Sequence, residues 1–334
     1  MSVLEQAKDV VRAHEAAIDA ADGQGAAKAL GQHTAGDWSY KGTHPFGEHR
    51  GADGVAEATW KPILAAFGPI QRRPDIFFAG HNDMESGGVW VCSMGHLIGN
   101  FDAPFLGIAP TRRLAFLRYC DWHRVEGDAI TETLQFIDVM NLMQQVGSPA
   151  VPRSTGVVTV TPGPRTHDGL RYAASDASEG RASLDLVQRM VERLRATGIR
   201  TLKDDLEKDW HEDMLWWGPG GIGASFTQSR YLQQHCGPFE DGLDFVRSEG
   251  HEVEIGEANY AGFHGWPSIV MRPTGGYLGL TGASDLEGEM RIVDLYRIED
   301  GKLAENWIFI DHLHFLDMLG IDLLARHANL TATS

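Results

Sequence analysis

Cysteine is scarce: Cys92, Cys120 and Cys236 are the only three in 334 residues, and no two form a Cys-x-x-Cys pair. That argues against a disulfide framework and against a thiolate zinc site, and it suits a reducing cytoplasm. Long apolar runs are missing too, for nothing approaches the roughly 20 residues of a membrane-spanning helix. The opening stretch, MSVLEQAKDVVRAHEAAIDAADG, has acids mixed through an amphipathic pattern and lacks the basic start and apolar centre of a secretory signal. Positive charge is in deficit: 29 Lys and Arg against 46 Asp and Glu give a formal charge of −17. Such a chain repels a phosphate backbone, and no basic cluster interleaved with aromatics offsets it. Neither nucleic acid nor membrane is an expected partner.

Several catalytic signatures are also absent. There is no G-x-S-x-G elbow, and the fifteen histidines include no i, i+4 helical pair with the downstream acid of a hydrolytic zinc site. The run GPGGIG, residues 218–223, satisfies G-x-G-x-x-G in form. A dinucleotide site needs that loop between a buried parallel strand and a helix, whereas DWHEDMLWW precedes it and antiparallel text follows. No cofactor and no metal are expected.

What the sequence does contain is a repetition. Without gaps, DWHRVEGDAITETLQFIDVMNLMQQVG (121–147) and DLYRIEDGKLAENWIFIDHLHFLDMLG (294–320) agree at eight of twenty-seven positions. Asp121/Asp294, Glu132/Glu305, Phe136/Phe309 and Asp138/Asp311 are among the matches. A fainter echo pairs DWSYKGTHPFG (37–47) with DMLWWGPGGIG (213–223). Whole domains were copied and then diverged. The sequence divides into a first domain over 1–150, a Pro/Gly/Ser-rich linker over 151–170 and a second domain over 171–334, with the boundary near residue 165.

Each copy opens with helical text, residues 3–21 in one and 182–196 in the other, and continues through a Gly/Pro/aromatic stretch and a further helical segment to short strands. Helices first and an antiparallel meander afterwards reads as α+β, with helices on one face of a curved sheet. Side chains alternate along a strand, so Glu305, Trp307, Phe309 and Asp311 share one face while Asn306, Ile308 and Ile310 share the other. Both faces carry large apolar residues, so both should be covered. Asp138 and Asp311 stand where strand spacing gives way to helical spacing. There each can serve as a helix N-cap, and each can also project into an aromatic-lined interior, where burial raises a carboxyl pKa.

Here the chain resembles the SnoaL-like polyketide cyclase family of the nuclear-transport-factor-2-like (NTF2-like) superfamily. The shared pattern stands as RIEDGKLAENWIFID with a helix ending in Leu-Gly, and in degraded form as RVEGDAITETLQFID. The resemblance implies two fused cone-shaped α+β barrels, each with a curved antiparallel sheet and helices on its concave side, forming an internal pseudo-dimer. It also implies that Asp311, and Asp138 in the first copy, act as acid/base in an intramolecular aldol closure assisted by a histidine, with His96, His123 and His312 as candidates. Glu305 would adjust the pKa of Asp311, and Trp307 would pack on the ligand. Trp216, Trp217, Tyr40, His44 and His96 complete the candidate ligand-binding set, with His312 beside the acid. Two readings stay open: cofactor-free acid/base chemistry on a small carbonyl or polyhydroxylated substrate (cyclisation, isomerisation or elimination), or a non-catalytic module that binds a metabolite or a protein partner. The richer aromatic set around Asp311 favours the second copy as the working one.

Overall fold

The computed structural model describes residues 2–148, 150–152, 154–157, 160–173, 175–281 and 285–332. The chain divides into two compact units. Unit 1 comprises Met1–Asn82, Gly87–Gly147 and Pro162–Ala174, and unit 2 comprises Asp83–Ser86, Ser148–Thr161 and Ser175–Ser334.

In unit 1 the helix Val3–Asp19 starts with a capping box: Ser2 accepts from the Glu5 backbone while the Glu5 side chain accepts from that of Ser2. Its buried stripe includes Val11, His14, Glu15 and Ile18. Six strands follow: β1 (Thr34–Gly42), β2 (Gly47–Arg50), β3 (Gln71–His81), β4 (Val89–Asn100), β5 (Leu114–Glu126) and β6 (Ala129–Ile137). They form one sheet in the order β2-β1-β6-β5-β4-β3. The helix packs across β3 to β6. The turn between β5 and β6 places Gly127 at φ 63, a conformation that a residue without Cβ reaches without strain.

Unit 2 repeats the plan. The helix Ala177–Ala196 leads to β7 (Trp210–Trp217), β8 (Ala224–Phe226), β9 (Leu243–Ser248), β10 (Val253–Glu257), β11 (Tyr260–Pro273), β12 (Gly288–Glu299) and β13 (Lys302–Ile310). The sheet order is β10-β11-β12-β13-β7-β8, with β9 also on β11. The counterpart of β3 is thus broken into β9 and β10, and residues 249–252 fill the gap.

The architecture is α+β with two sheets, and the structure refines the expected all-antiparallel cones in two respects. Neither sheet closes into a barrel. Each contains one parallel pair, β1 with β6 and β7 with β13. The partners in each pair are far apart in the chain, with a helical segment and several other strands between them, so no hairpin forces them to run antiparallel. Among the described residues no helix is long and apolar enough to cross a membrane.

Before the last helix of each unit's second helical segment the backbone widens into a π-turn, Ala56–Trp60 and Leu232–Cys236. Each is followed at the same spacing by a proline near the start of the next helix, Pro62 or Pro238. The missing proline N–H removes a donor at the point where the ladder changes register. In unit 2 this turn carries His235 and Cys236 to the cavity wall.

Candidate functional site

The ladders give a residue-by-residue correspondence between the two sheets. Asp121 lies across from Ser93 on one side and Gln135 on the other, while Asp294 lies across from Phe263 and Ile308. Tyr40 pairs with Thr133, and Trp216 with Asn306. Arg72 faces Leu97, which faces Leu117; Ser248 faces Ile269, which faces Met290. Equivalent positions are therefore Asp121 and Asp294, Ser93 and Phe263, Tyr40 and Trp216, Arg72 and Ser248.

In unit 2 these positions surround a cavity of about 150 Å³. A void of that size, lined by apolar side chains, takes up a benzene-sized ligand. β12 and β13 form one wall through Asp294, Tyr296, Asn306 and Ile308, and the long helix contributes Met190, Val191 and Leu194. At one end His235 stacks on Trp216 with ring centroids 4.1 Å apart, beside Tyr231 and Phe239. At the other, His251, held in the gap between β9 and β10, lies flat on Phe263 at 3.7 Å.

Asp294 is the central polar group. Burial drives its carboxyl up to about 7, and hydrogen bonds from Asn306 and Tyr296 oppose the rise. Asn306 Nδ2 donates to Asp294 Oδ1 at 2.9 Å. Burial also raises Tyr296 and Tyr231, and the Asp294 charge adds to both. These phenols stay protonated and can donate. His235 is pushed down to about 3, by burial first and then by the charge of His312, and its Nδ1 has no hydrogen-bond partner among the described residues. It is a neutral imidazole at neutral pH. His251 Nδ1 meets Glu254 Oε1 at 2.7 Å, which fixes the orientation of the ring. Burial lowers His251 against the pull of that carboxylate, so it too favours the neutral form. Burial lifts Cys236 to about 11 and keeps it a thiol.

Unit 1 holds the equivalent acid in a different setting. Asp121 is also raised to about 7, by burial first, with the Arg72 charge and a 2.9 Å hydrogen bond from Gln135 opposing. Its neighbours fill the space. The buried Arg72 places Nη1 3.5 Å from both Asp121 Oδ2 and Glu15 Oε1, and its Nε donates to Asp19 Oδ1 at 3.2 Å. The Tyr40 hydroxyl donates to Gln135 Oε1 at 2.8 Å, and Trp38 Nε1 donates to Thr133 at 3.0 Å. His14 and His123 both sit well below the ordinary imidazole range, through burial first and then neighbouring positive charge, that of Arg72 included. About 10 Å³ of space remains, which is the room of roughly one water.

The other candidate residues take different places. Asp311 caps the helix His312–Met318, accepting from the His314 backbone at 3.2 Å, and lies 3.4 Å from Arg291. Asp138 does the same for Val139–Gln145, accepting from Asn141 at 2.9 Å and standing 3.6 Å from Arg118. Glu305 is buried 3.5 Å from Arg297. Trp307 is wholly buried on the same strand face. None of these four lines the cavity, which takes the Asn306, Ile308 and Ile310 face of β13 instead. His312 is buried with Nε2 2.9 Å from the Tyr277 hydroxyl. His96 is buried beside Asp75 at 3.5 Å, and His44 and Trp217 are half-buried. Of the eleven candidates, three line cavities: Trp216 in unit 2 and, in unit 1, His123 and Tyr40, the latter at the position equivalent to Trp216. Sequence reasoning passed over Asp294, His235 and His251. The available signal for Asp294 was its identity with Asp121, each an acid between two apolar strand neighbours (Cys120 and Trp122, Val293 and Leu295), where burial of a charge is informative.

The Gly218–Gly223 loop joins β7 to β8, an antiparallel pair. Among the described residues no group of three or more His, Cys, Asp or Glu side chains is arranged to hold a metal ion.

Solved structures similar to this chain include an NTF2-like protein from Burkholderia xenovorans LB400. It is 13% identical, with 42% of this chain and 97% of that one aligned and a TM-score of 0.33. Another NTF2-like protein, from Burkholderia thailandensis E264, is 18% identical over 44% of this chain and 100% of its own, with a TM-score of 0.32. IdmH from Streptomyces antibioticus is 20% identical over 42% and 96%, also at 0.32. No curated protein matches the chain significantly. The family described as SnoaL-like polyketide cyclase matches residues 8–146, which supports the resemblance over nearly all of the first sequence copy.

Proposed function

We propose that unit 2 is an acid/base catalytic site that moves a proton on carbon beside a carbonyl, in an aldol-type cyclisation, an isomerisation or an elimination. One observation carries this reading: the Asp294 carboxyl lies buried on the wall of an aromatic cavity, where burial pushes its pKa up to about 7. A group poised there is basic enough to take a proton and acidic enough to return it near neutral pH. The Tyr296 hydroxyl and the Asn306 amide hold the carboxylate, and Tyr231 supplies a protonated phenol on the same cavity wall for a developing enolate oxygen. His251, oriented by Glu254, is a second neutral proton carrier on that wall. The family match of unit 1 is consistent with this chemistry.

The test is solvent-deuterium exchange next to the carbonyl of a panel of small ketones and aldehydes, followed by proton NMR. The wild-type rate should rise with pH and level off above about 7. Asp294→Asn should lower it by about 10² to 10⁴. Exchange by Asp294→Asn at the wild-type rate would end the proposal.

A further inference from the structure

The charged side chains on the unit 2 cavity wall nearly all have charged partners. Arg193 pairs with Asp209, and Arg200 lies 3.6 Å from Glu240. Asp205 takes Lys208 at 2.8 Å, and His251 takes Glu254 at 2.7 Å. Two charges remain. One is Asp294, which has hydrogen bonds but no cation within ion-pair distance among the described residues. The other is Arg195, a half-buried guanidinium in the last turn of the helix Ala177–Ala196, with no hydrogen bond and no acid within 4 Å among the described residues. It sits close enough to His251 and Glu254 for its charge to act on both.

An arginine at a helix C-terminus is favourable on its own account, because it faces the negative end of the helix dipole. That explains a cation in this turn but not its position on the wall of an apolar cavity, where partial desolvation of an unmatched charge is costly. In a chain with seventeen more acids than bases, leaving a guanidinium without a hydrogen-bonded acid beside four acid-containing pairs is unexpected unless something else meets it. The guanidinium fork suits a planar carboxylate, which it can engage through two parallel hydrogen bonds.

We infer that Arg195 is the specificity residue of this cavity and that the ligand is a flat, aromatic or enolisable compound bearing a carboxylate, held by Arg195 at the His251 end with its reacting carbon towards Asp294. The inference rests on the reading of this cavity as the ligand site, and its test is separable from the test of Asp294 as acid/base.

The experiment is titration calorimetry of the full chain with benzoate, phenylpyruvate and naphthoate, each against its methyl ester, on wild type, Arg195→Gln, Arg195→Lys and Asp294→Asn. The wild type should prefer the carboxylates by about tenfold to a hundredfold, the range of a charged hydrogen-bonded contact. Arg195→Gln should erase the preference while still binding the esters, which also shows that the cavity remains folded. Arg195→Lys should restore part of it, and Asp294→Asn should keep it in full even as deuterium exchange is lost. Equal binding of acids and esters by wild type, no binding of any carboxylate at millimolar concentration, or a preference that survives in Arg195→Gln would each overturn the assignment of Arg195. None of these outcomes bears on whether Asp294→Asn loses exchange.

Discussion

The two units place the same acid at the same point of the same sheet and surround it differently. Beside Asp121 stand Ser93, Arg72 and the helix residues His14 and Glu15; beside Asp294 stand Phe263, Ser248 and the helix residues Met190, Val191 and Leu194. The single exchange of Arg72 for Ser248 removes a guanidinium from the interior, and the break between β9 and β10 follows directly after that serine. About 10 Å³ of space becomes about 150 Å³. The first arrangement packs polar side chains against the acid, and the second leaves a void beside it. Burial raises both carboxyls to about 7; an altered pKa alone therefore does not mark a working site. Room beside the carboxyl is what separates the two.

The strongest way to break this comparison is to neutralise each acid in turn. Asp294→Asn should abolish deuterium exchange by the factor given above, and Asp121→Asn should leave it unchanged. Equal losses would mean that the small polar pocket of unit 1 opens and works.

Arg72→Met should cost about 3 to 5 kcal/mol of stability, because it leaves Glu15 and Asp121 buried without their common counter-charge. Thermal unfolding would read this as a large drop in Tm. The double variant Arg72→Met with Asp121→Asn should recover part of the loss, since one of the stranded charges is then gone.

Asp294 also sharpens the comparison through pH. Its folded pKa is raised, so its favourable contribution is complete below the unfolded value near 4 and disappears as pH climbs through about 7. The buried histidines with lowered pKa act in the opposite direction over part of that range, so the informative quantity is a difference between proteins. Asp294→Asn should match wild type near pH 4 and become more stable than it above pH 7, by at most roughly 4 kcal/mol. Denaturant unfolding at a series of pH values measures it. A flat difference would mean that Asp294 is not held in a dry environment.

Much of this architecture is legible in one dimension. The opening helix and the shared strand pattern follow from periodicity, and the repeat alignment already places Asp121 on Asp294 and, in its fainter part, Tyr40 on Trp216. Strand parity correctly groups Glu305 with Trp307 and Phe309, and Asn306 with Ile308. It cannot say which group faces the long helix, because both are apolar enough to be buried, and both are. Arg72 and Ser248 are beyond reach for another reason. QRRPDIFF and FVRSEGH share no alignable pattern, and only the chain of pairings through β4 and β5, or β11 and β12, brings those two residues into register.

The smallest effect concerns the strand-end aspartates. At Asp311 a helix cap and an acid/base group use the same oxygens, but they respond differently to substitution. As a cap, Asp311 presents Oδ1 to the His314 backbone N–H at 3.2 Å, a role that a serine hydroxyl fills nearly as well. Asp311→Ser should therefore lose little stability, limited to the 3.4 Å contact with Arg291, while Asp311→Ala should lose about 1 kcal/mol. Deuterium exchange should be unchanged in both, since Asp311 does not line the cavity. If exchange instead falls with Asp311→Ser while the melting temperature holds, the proton-transfer role belongs to the junction, and Asp294 becomes a buried polar group that only shapes the cavity wall.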